Sequence, residues 1–347
     1  MKNYKLYHTI NQILYFTTLF LYFTVYLGML FQMVLGTAQI VIGVLLTISI
    51  KKMNKSTKKR ILIYWTLVFI SAILIGSNYY HGTDIGNLFT IFIIPMLIAT
   101  YFYYVTANID NNSFLKANWT NLALINYEVD AKLLEHYIPK GTEIELYNGK
   151  CYVSLVGFMF ENVKILGFKI PFHVNFEEVN LRFYVKRFED GKWKRGVVFI
   201  KEIVPKPALT FVANTVYKEH YQTLPMKHSV TQNNESNNYE YQWKTNGKWN
   251  SMLIETEKKA LDIAIDSEAE FITEHYFGYT KITDNKTFEY EVKHPRWKQL
   301  KVKKHKIDVD FNATYGNEFD FLKNSIPTSV LFAKGSEISV ENKREIK

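Results

Sequence analysis

The stretch INQILYFTTLFLYFTVYLGMLFQMVLGTAQIVIGVLLTISI, residues 10–50, contains no charged side chain. A single helix of that length would be about 60 Å long, which is about twice the hydrocarbon thickness of a bilayer. We therefore predict two membrane helices joined by a turn between Gly28 and Gly36, with Gln32 near that turn.

Two further apolar runs follow this stretch. One covers Ile61 to Gly76, and the other extends from about Asn87 to Ala107 with Pro95 inside it. Proline is tolerated in membrane helices, where it usually produces a kink. The first 107 residues therefore predict an α-helical membrane region with four transmembrane helices, so that the lipid bilayer is a partner of the chain.

The segment KKMNKSTKKR, residues 51–60, carries six cations between the second and third apolar runs. A Lys or Arg at the centre of a membrane helix costs roughly 2.5–3.5 kcal/mol, so this segment must lie in water, and the positive-inside rule makes it cytoplasmic. Lys2 and Lys5 assign the N-terminus to the same side, and SNYYHGTDIG, residues 77–86, has no Lys or Arg. We predict a multi-pass protein of the inner, cytoplasmic membrane with both termini in the cytoplasm.

The charge is distributed unevenly along the chain. Residues 1–107 hold eight Lys or Arg and the single acid Asp84, whereas the remaining residues are nearly balanced, although the pI is about 9.1. The basic pI therefore indicates membrane orientation, and we predict no nucleic-acid partner. The lysine-rich segment 294–306 alternates as expected of a solvated strand.

Residues 108–347 show the short alternating runs and frequent turn signals of a mainly antiparallel β domain. CYVSLVGFMF, EEVNLRFYVKRF and KRGVVFIKEIV predict strands, and NGKW at 246–249 predicts a hairpin turn. A helix is expected to begin at Pro207, and another after Ser267, which forms a capping box with Glu270. The predicted division is 1–107 transmembrane, 108–118 linker, 119–341 β-rich domain and 342–347 tail.

The lone cysteine excludes an intrachain disulfide and a multi-cysteine zinc site. We interpret Cys151 as a small buried residue of a strand, in keeping with a reducing compartment. The histidines show no ligand spacing with an accompanying acid, and no phosphate-binding loop is present. No metal site and no cofactor are therefore predicted.

Several segments resemble one known family in the same order along the chain. They are WTNLALINYEVDAKLLEHYIPKGTEIELYNGKCYVSLVGFMF at 119–160, EVNLRFYV at 178–185, RGVVFIKEIVPKPALTFVANTVYKEHYQTLPMKH at 195–228 and SIPTSVLFAKGSEISV at 325–340. Over about residues 113–340 the chain is similar to the YqjF-like bacterial family, domain of unknown function 2071. The resemblance implies an acetoacetate decarboxylase-like fold, a closed β-rich barrel around a central cavity, without an established activity. The four spans are not part of it.

The strand at 178–185 supplies a candidate ligand site for that implied cavity. Its alternation places Glu178, Asn180, Arg182 and Tyr184 on one face, opposite an apolar face. An arginine can hold a carboxylate through two hydrogen bonds. This polar face either lines a pocket for a small anionic or organic-acid ligand or is a solvated, structurally paired surface.

A second candidate site comes from the resemblance to the decarboxylases, whose Schiff-base lysine follows a proline and precedes another lysine. In KEIVPKPAL the step Pro205-Lys206 matches, which makes Lys206 and the nearby Glu202 candidate catalytic residues. Pro207 stands where the second lysine, which lowers the pKa of the nucleophile, would be expected. Losing that cation makes an ordinary lysine before a helix the favoured interpretation.

Three functions are therefore open. The first is a membrane-anchored cytoplasmic domain that binds or senses a small organic acid. The second is a decarboxylase-like enzyme with Lys206 as amine nucleophile, and the third is a structural or partner-binding module.

Overall fold

The computed structural model describes residues 2–53, 55–81, 89–109 and 113–346. The chain divides into two compact units, Met1–Asn112 and Ser113–Lys347. Residues 82–88, where the fourth span was expected to begin, and residues 110–112 of the predicted linker lie outside the described residues.

The first unit is helical. Its described helices are α1 (Lys2–Leu21), α2 (Val25–Ile48), α3 (Lys55–His81) and α4 (Ile94–Ala107), with a single 3-10 turn at Ile50–Lys52 and a π-helical turn at Phe89–Ile93. Pro95 is in the first turn of α4, directly after the π-helical turn, and the carbonyl of Ile91, four residues before it, accepts from the Gln32 side chain instead. The basic segment 51–60 is helical from Lys55 onward.

The predicted position of the first turn is wrong. The chain turns at residues 22–24, while Gly28, Gln32 and Gly36 all lie within α2. A side chain at Gly28 would come within 2.7 Å of the Tyr22 ring, so this glycine permits close packing beside the turn rather than forming it. Gln32 is stabilised inside the helical unit, because its amide donates to the Ile91 carbonyl at 2.9 Å.

Three described helical segments are long and apolar enough to cross a membrane: Val25–Ile48, Ser56–Ser77 and Thr90–Ala107. Helix α1 is not among them. It joins the same unit through buried polar contacts, since the Asn11 amide donates to Thr106 Oγ1 at 3.0 Å and accepts from Gln39 at 2.8 Å. Hydrogen bonds of this kind hold helices together where no water is available.

The second unit is mainly β, as predicted. Its strands are β1 (Ser113–Val129), β2 (Glu143–Ile144), β3 (Cys151–Ile165), β4 (Phe176–Glu189), β5 (Lys192–Val204), β6 (Tyr221–Thr223), β7 (Met226–Gln232), β8 (Asn237–Thr245), β9 (Lys248–Asp262), β10 (Phe277–Thr283), β11 (Lys286–Lys293), β12 (Lys298–Asp308), β13 (Ser329–Glu341) and β14 (Arg344–Ile346). Because β1 begins at Ser113, the last six residues assigned to the linker belong to a strand.

Seven of these strands pair in a closed circuit. The order is β11, β10, β5, β4, β3, β1 and β13, and β13 returns to β11 through Val292 opposite Val340 and Lys293 opposite Ser339. Strands β12, β9, β8 and β7 continue the sheet beyond β13.

The two faces of β4 belong to different cores, which follows from the period of two along a strand. Val179, Leu181 and Phe183 join the core that packs β1, β3 and β4 against β8 and β9. At Gly157 of β3, a Cβ atom would be 2.9 Å from Met252 and from Tyr241, so glycine permits this close packing. The opposite faces of the circuit strands form a second core.

Short helices connect the strands: α5 (Pro207–Val212), continued by a π-helical turn at Ala213–Tyr217, α6 (Glu268–Thr273) and α7 (Phe311–Tyr315). The predicted helix starts are confirmed, with Ser267 Oγ accepting from the Glu270 N–H at 3.1 Å. The 246–249 hairpin is confirmed as well, since Asn246 and Gly247 both have positive φ.

Candidate functional site

The second unit contains a cavity of about 460 Å³, a size typical of small-molecule sites. The strands of the circuit and α5 contribute its walls. Most of the lining is apolar, including Phe114, Phe158, Phe160, Leu209, Val212 and Tyr217.

Polar side chains of β4 and its neighbours also line this cavity. Glu178, Asn180 and Arg182 alternate along β4 and are buried. Glu202 of β5 lies opposite Asn180 in the antiparallel register, and Tyr221 lies opposite Glu202 in the parallel pairing of β5 with β6. The polar face predicted from alternation therefore faces a cavity in its first three members.

Tyr184, the fourth predicted member, is not among the described residues that line the cavity. Its hydroxyl lies 2.6 Å from Ser154 Oγ, which in turn donates to Asn126 at 2.6 Å. The Arg182 guanidinium lies 5.7 Å from the centre of the Tyr184 ring. The Tyr184 ring thus packs against the Arg182 guanidinium without lining the cavity.

Lys206 and Glu202, the two candidate catalytic residues, differ in burial and in their relation to the cavity. Glu202 is buried and lines the cavity, whereas Lys206 is half-exposed, precedes α5 and is absent from the described lining residues. The Lys206 carbonyl accepts the Thr210 N–H at 3.1 Å, as expected at a helix start.

Three buried glutamates define the acidic character of the cavity. Burial raises the pKa of Glu178 and of Glu219 to about 7. Burial, followed by the charges of Glu219 and Glu178, raises the pKa of Glu202 well above its ordinary value. The raised pKa values favour the protonated form of these carboxyls, which can donate a hydrogen bond.

Hydrogen bonds fix two of these carboxyls. Glu178 accepts from the Asn180 amide at 2.9 Å and from the Tyr221 hydroxyl at 3.0 Å. Glu219 accepts from Thr280 Oγ1 at 2.6 Å.

Arg182 is buried without an ion-pair partner. Within the described ranges, no carboxylate oxygen lies within 4.0 Å of its guanidinium nitrogens, since the ion pairs found there involve other cations. Its one direct hydrogen bond is long, from Nη2 to the Ile272 carbonyl at 3.5 Å, and Nε has no partner there. A buried cation in this state is stabilised by any anion that enters the cavity.

Other buried polar atoms of the lining also lack a hydrogen-bond partner among the described residues: Asn180 Oδ1, Glu202 Oε2 and His275 Nδ1. His275 lines the cavity beside Arg182, and the sequence analysis did not single it out. It is anchored by Glu145, whose Oε2 lies 3.0 Å from His275 Nε2. These two residues are 130 positions apart, so no spacing in the sequence reveals the pair.

Cys151 is buried in β3, where burial raises the pKa of its thiol to about 11. The interpretation as a structural residue fits this position. In the described part of the chain, no group of three or more His, Cys, Asp or Glu side chains is arranged to hold a metal ion.

Comparison with curated proteins gives a distant relative, the uncharacterized protein YqjF of Bacillus subtilis. It is 27% identical over 114 residues, which is 33% of this chain and 46% of YqjF. The match thus spans about half the length of that relative.

Solved structures to which the chain is similar include acetoacetate decarboxylase from Legionella pneumophila, with 10% identity over 67% of this chain and 87% of that one, and a TM-score of 0.46. An acetoacetate decarboxylase-like enzyme from Sphingomonas wittichii has 8% identity over 68% and 94%, with a TM-score of 0.47. The enduracididine biosynthesis enzyme MppR, complexed with pyruvate, has 9% identity over 67% and 90%, with a TM-score of 0.47.

The family described as "Uncharacterized conserved protein (COG2071)", DUF2071, matches residues 116–337, nearly the whole β unit. This confirms the resemblance inferred from the sequence, and the chain belongs to the DUF2071 family.

Proposed function

We propose that the β unit binds a small carboxylic acid with an apolar body, and that Arg182 holds the carboxylate. The observation that carries this proposal is the buried Arg182 guanidinium, which has no carboxylate within 4.0 Å among the described residues and lines a mostly apolar cavity. An organic acid would satisfy the guanidinium while its chain covers the apolar wall.

The acidic neighbours of Arg182 are compatible with an anionic ligand. Burial raises the pKa of Glu178 and Glu219 to about 7 and that of Glu202 well above its ordinary value, so these carboxyls are not all ionised at neutral pH. A protonated carboxyl donates a hydrogen bond to a carboxylate instead of repelling it. Anion binding should therefore weaken as pH rises through about 7.

Isothermal titration of the full chain in lipid nanodiscs tests this function. Nanodiscs are preferable to detergent, because detergent monomers resemble the probe. Octanoate should bind, whereas octanol, which lacks the carboxylate, should bind weakly. Arg182→Gln should weaken octanoate binding by about 1.5–3 kcal/mol, roughly 10- to 150-fold.

Lys186→Gln is the matched control, since Lys186 lies on the same strand but forms an ion pair with Glu143 outside the cavity. Equal octanoate affinity in wild type, Arg182→Gln and Lys186→Gln would refute a role for Arg182. Absence of octanoate binding to the wild type would refute the proposed ligand class.

An enzyme using Lys206 as nucleophile has less support, because this half-exposed residue does not belong to the described cavity lining. Borohydride trapping with β-keto acids, read by mass spectrometry, distinguishes the two functions. We expect no adduct at Lys206, and an adduct there would favour the enzyme. A purely structural or partner-binding module would bind none of these probes.

We further propose that the circuit of seven strands is a closed barrel around the cavity. We also propose that the β unit is cytoplasmic and that four membrane crossings precede it in the chain. Helix α1 has 20 residues, about 30 Å, which is long enough for the fourth crossing. Its hydrogen bonds to α2 and α4 support a place in the same bundle. Protease treatment of intact spheroplasts should leave the β unit uncut until the membrane is permeabilised; cleavage in intact spheroplasts would refute this orientation.

A further inference from the structure

His275 is the end of a chain of hydrogen bonds that starts outside the cavity lining. Arg195 Nε donates to Glu145 Oε1 at 2.7 Å, and Glu145 Oε2 lies 3.0 Å from His275 Nε2. The Glu145 backbone N–H donates to the Tyr184 carbonyl at 3.0 Å, so β4 fixes the carboxylate. Both oxygens of Glu145 are therefore directed by partners on different elements.

Aromatic packing fixes the imidazole ring as well. The ring centre of His275 lies 4.7 Å from that of Tyr184 and 5.2 Å from that of Phe271. Its side chain is 2% exposed. The ring therefore has one orientation with respect to the cavity.

These contacts determine which nitrogen carries the proton. An ionised carboxylate only accepts hydrogen bonds, so Nε2 carries the proton that is donated to Glu145. Burial lowers the pKa of His275 to about 4, which leaves the imidazole neutral near pH 7. Nδ1 then has a free lone pair, and it has no partner within the described part of the chain. His275, one of the residues that line the cavity, thus carries a buried and unpaired hydrogen-bond acceptor.

Arg182 and His275 both line the cavity, and both contact the ring of Tyr184, at 5.7 Å and 4.7 Å from its centre. The lining thus combines a donor for a carboxylate with an acceptor for a hydroxyl group. We propose, on the basis of the acid binding proposed above, that the ligand is a hydroxy acid whose hydroxyl next to the carboxylate donates to His275 Nδ1.

This arrangement distinguishes acids of equal length. A 2-hydroxy acid supplies the donor that Nδ1 needs, whereas an unsubstituted acid leaves Nδ1 buried and unpaired. A 2-oxo acid is worse, since its carbonyl oxygen directs a lone pair at the lone pair of Nδ1. Sites that hydrogen-bond a hydroxyl group reject ligands lacking it for this reason.

Titration of the full chain in nanodiscs with 2-hydroxyoctanoate, octanoate and 2-oxooctanoate tests the proposal. The hydroxy acid should bind the wild type up to about tenfold more tightly than octanoate, and the oxo acid more weakly than the hydroxy acid. Equal affinities, or a preference for the oxo acid, would overturn the proposal without any variant. If octanoate and both derivatives fail to bind, the proposed function itself fails.

Two variants locate the effect at the histidine. His275→Phe keeps an aromatic ring between Tyr184 and Phe271 and should abolish the preference for the hydroxy acid. His228→Phe is the matched control, because His228 contacts Glu177 and is not one of the described lining residues. A preference that persists in His275→Phe would overturn the assignment.

Glu145→Gln tests the proposed tautomer, because it should shift the relative affinities for the hydroxy acid and the oxo acid in favour of the oxo acid. Arg195 donates to the first oxygen of Glu145, so the amide oxygen should take that position and the amide nitrogen should donate to His275 Nε2. The imidazole proton would then move to Nδ1, which becomes a donor. The oxo acid should therefore gain affinity relative to the hydroxy acid in this variant, because its carbonyl oxygen accepts from the Nδ1 proton, whereas a hydroxyl group pairs with Nδ1 in either state. An unchanged ratio of the two affinities would contradict the proposed tautomer.

Discussion

Replacing Glu178 by glutamine should change how the stability of the β unit depends on pH. The pKa of Glu178 is raised by burial from 4.5 to about 7, and the hydrogen bonds from Asn180 and Tyr221 and the charge of Arg182 oppose that rise. Between these two pH values the folded protein binds more protons at this site than the unfolded chain does. The free energy of unfolding therefore falls as the pH rises through this window.

The magnitude follows from the pKa values. Since one pH unit corresponds to about 1.4 kcal/mol, ionising the buried Glu178 costs on the order of 3 kcal/mol between pH 4.5 and 7. Glutamine resembles the protonated carboxyl and cannot ionise. Relative to the wild type, Glu178→Gln should gain stability as the pH rises, and a domain of this size shifts in Tm by roughly 2–4 °C per kcal/mol.

Thermal unfolding of the full chain in nanodiscs, followed by tryptophan fluorescence from pH 5 to 8.5, measures this difference. Trp243 is fully buried in the β unit and reports its unfolding. Glu337→Gln, which changes an exposed glutamate of β13, is the control and should give a constant Tm difference from the wild type. The reasoning is refuted if the difference for Glu178→Gln is constant across the range, or grows as the pH falls.

Three further substitutions or measurements test the packing of the β unit. Gly335→Ala should destabilise the β unit by about 3 kcal/mol or more in thermal unfolding, because φ is +78° and a Cβ atom would be 1.9 Å from the Trp119 carbonyl oxygen. Gly191→Ala is the control, since φ is +76° there but the space around it is open, and it should cost only about 1 kcal/mol. Equal losses of stability in the two variants would contradict this reasoning. Cys151 should react with a thiol reagent only after unfolding, since burial raises its pKa to about 11, so rapid labelling of the native protein would be inconsistent with the structure. Glu289→Gln should lower stability by about 1–3 kcal/mol in denaturant unfolding, because this carboxylate, 3% exposed, pairs with three cations; unchanged stability at low salt would argue against this network.

Alternation along β4 was sufficient to group Glu178, Asn180 and Arg182 on one face. It could not distinguish a solvated face from a cavity, because that depends on strands far away in the sequence closing the circuit. Tyr184 shares the same face, yet its hydroxyl contacts Ser154 and it is not among the described residues that line the cavity. Alternation along a strand predicts which face a residue occupies, but not whether that part of the strand borders the cavity.

The parts of the site that the sequence did not reveal depend on long-range contacts. Glu145 and His275 meet only because α6 brings the histidine beside β4, and Glu219 follows a π-helical turn that no local pattern predicts. In the helical unit, Gly28 indicated a turn by its residue type, whereas its role is to make room for Tyr22. A glycine required for close packing and one required for a turn look the same in a single sequence.

The pairing between neighbouring strands is uneven around the circuit of seven strands. The β10–β11 hairpin joins β5 through two residue pairs and β13 through two more, whereas twelve pairs join β1 to β3. Gly278, Tyr290 and Val292 of this hairpin line the cavity. The circuit therefore has the fewest backbone pairs at the two edges of this hairpin, where side-chain contacts such as the ion pairs of Glu289 with Arg187 and Lys194 also hold β11 to β4 and β5.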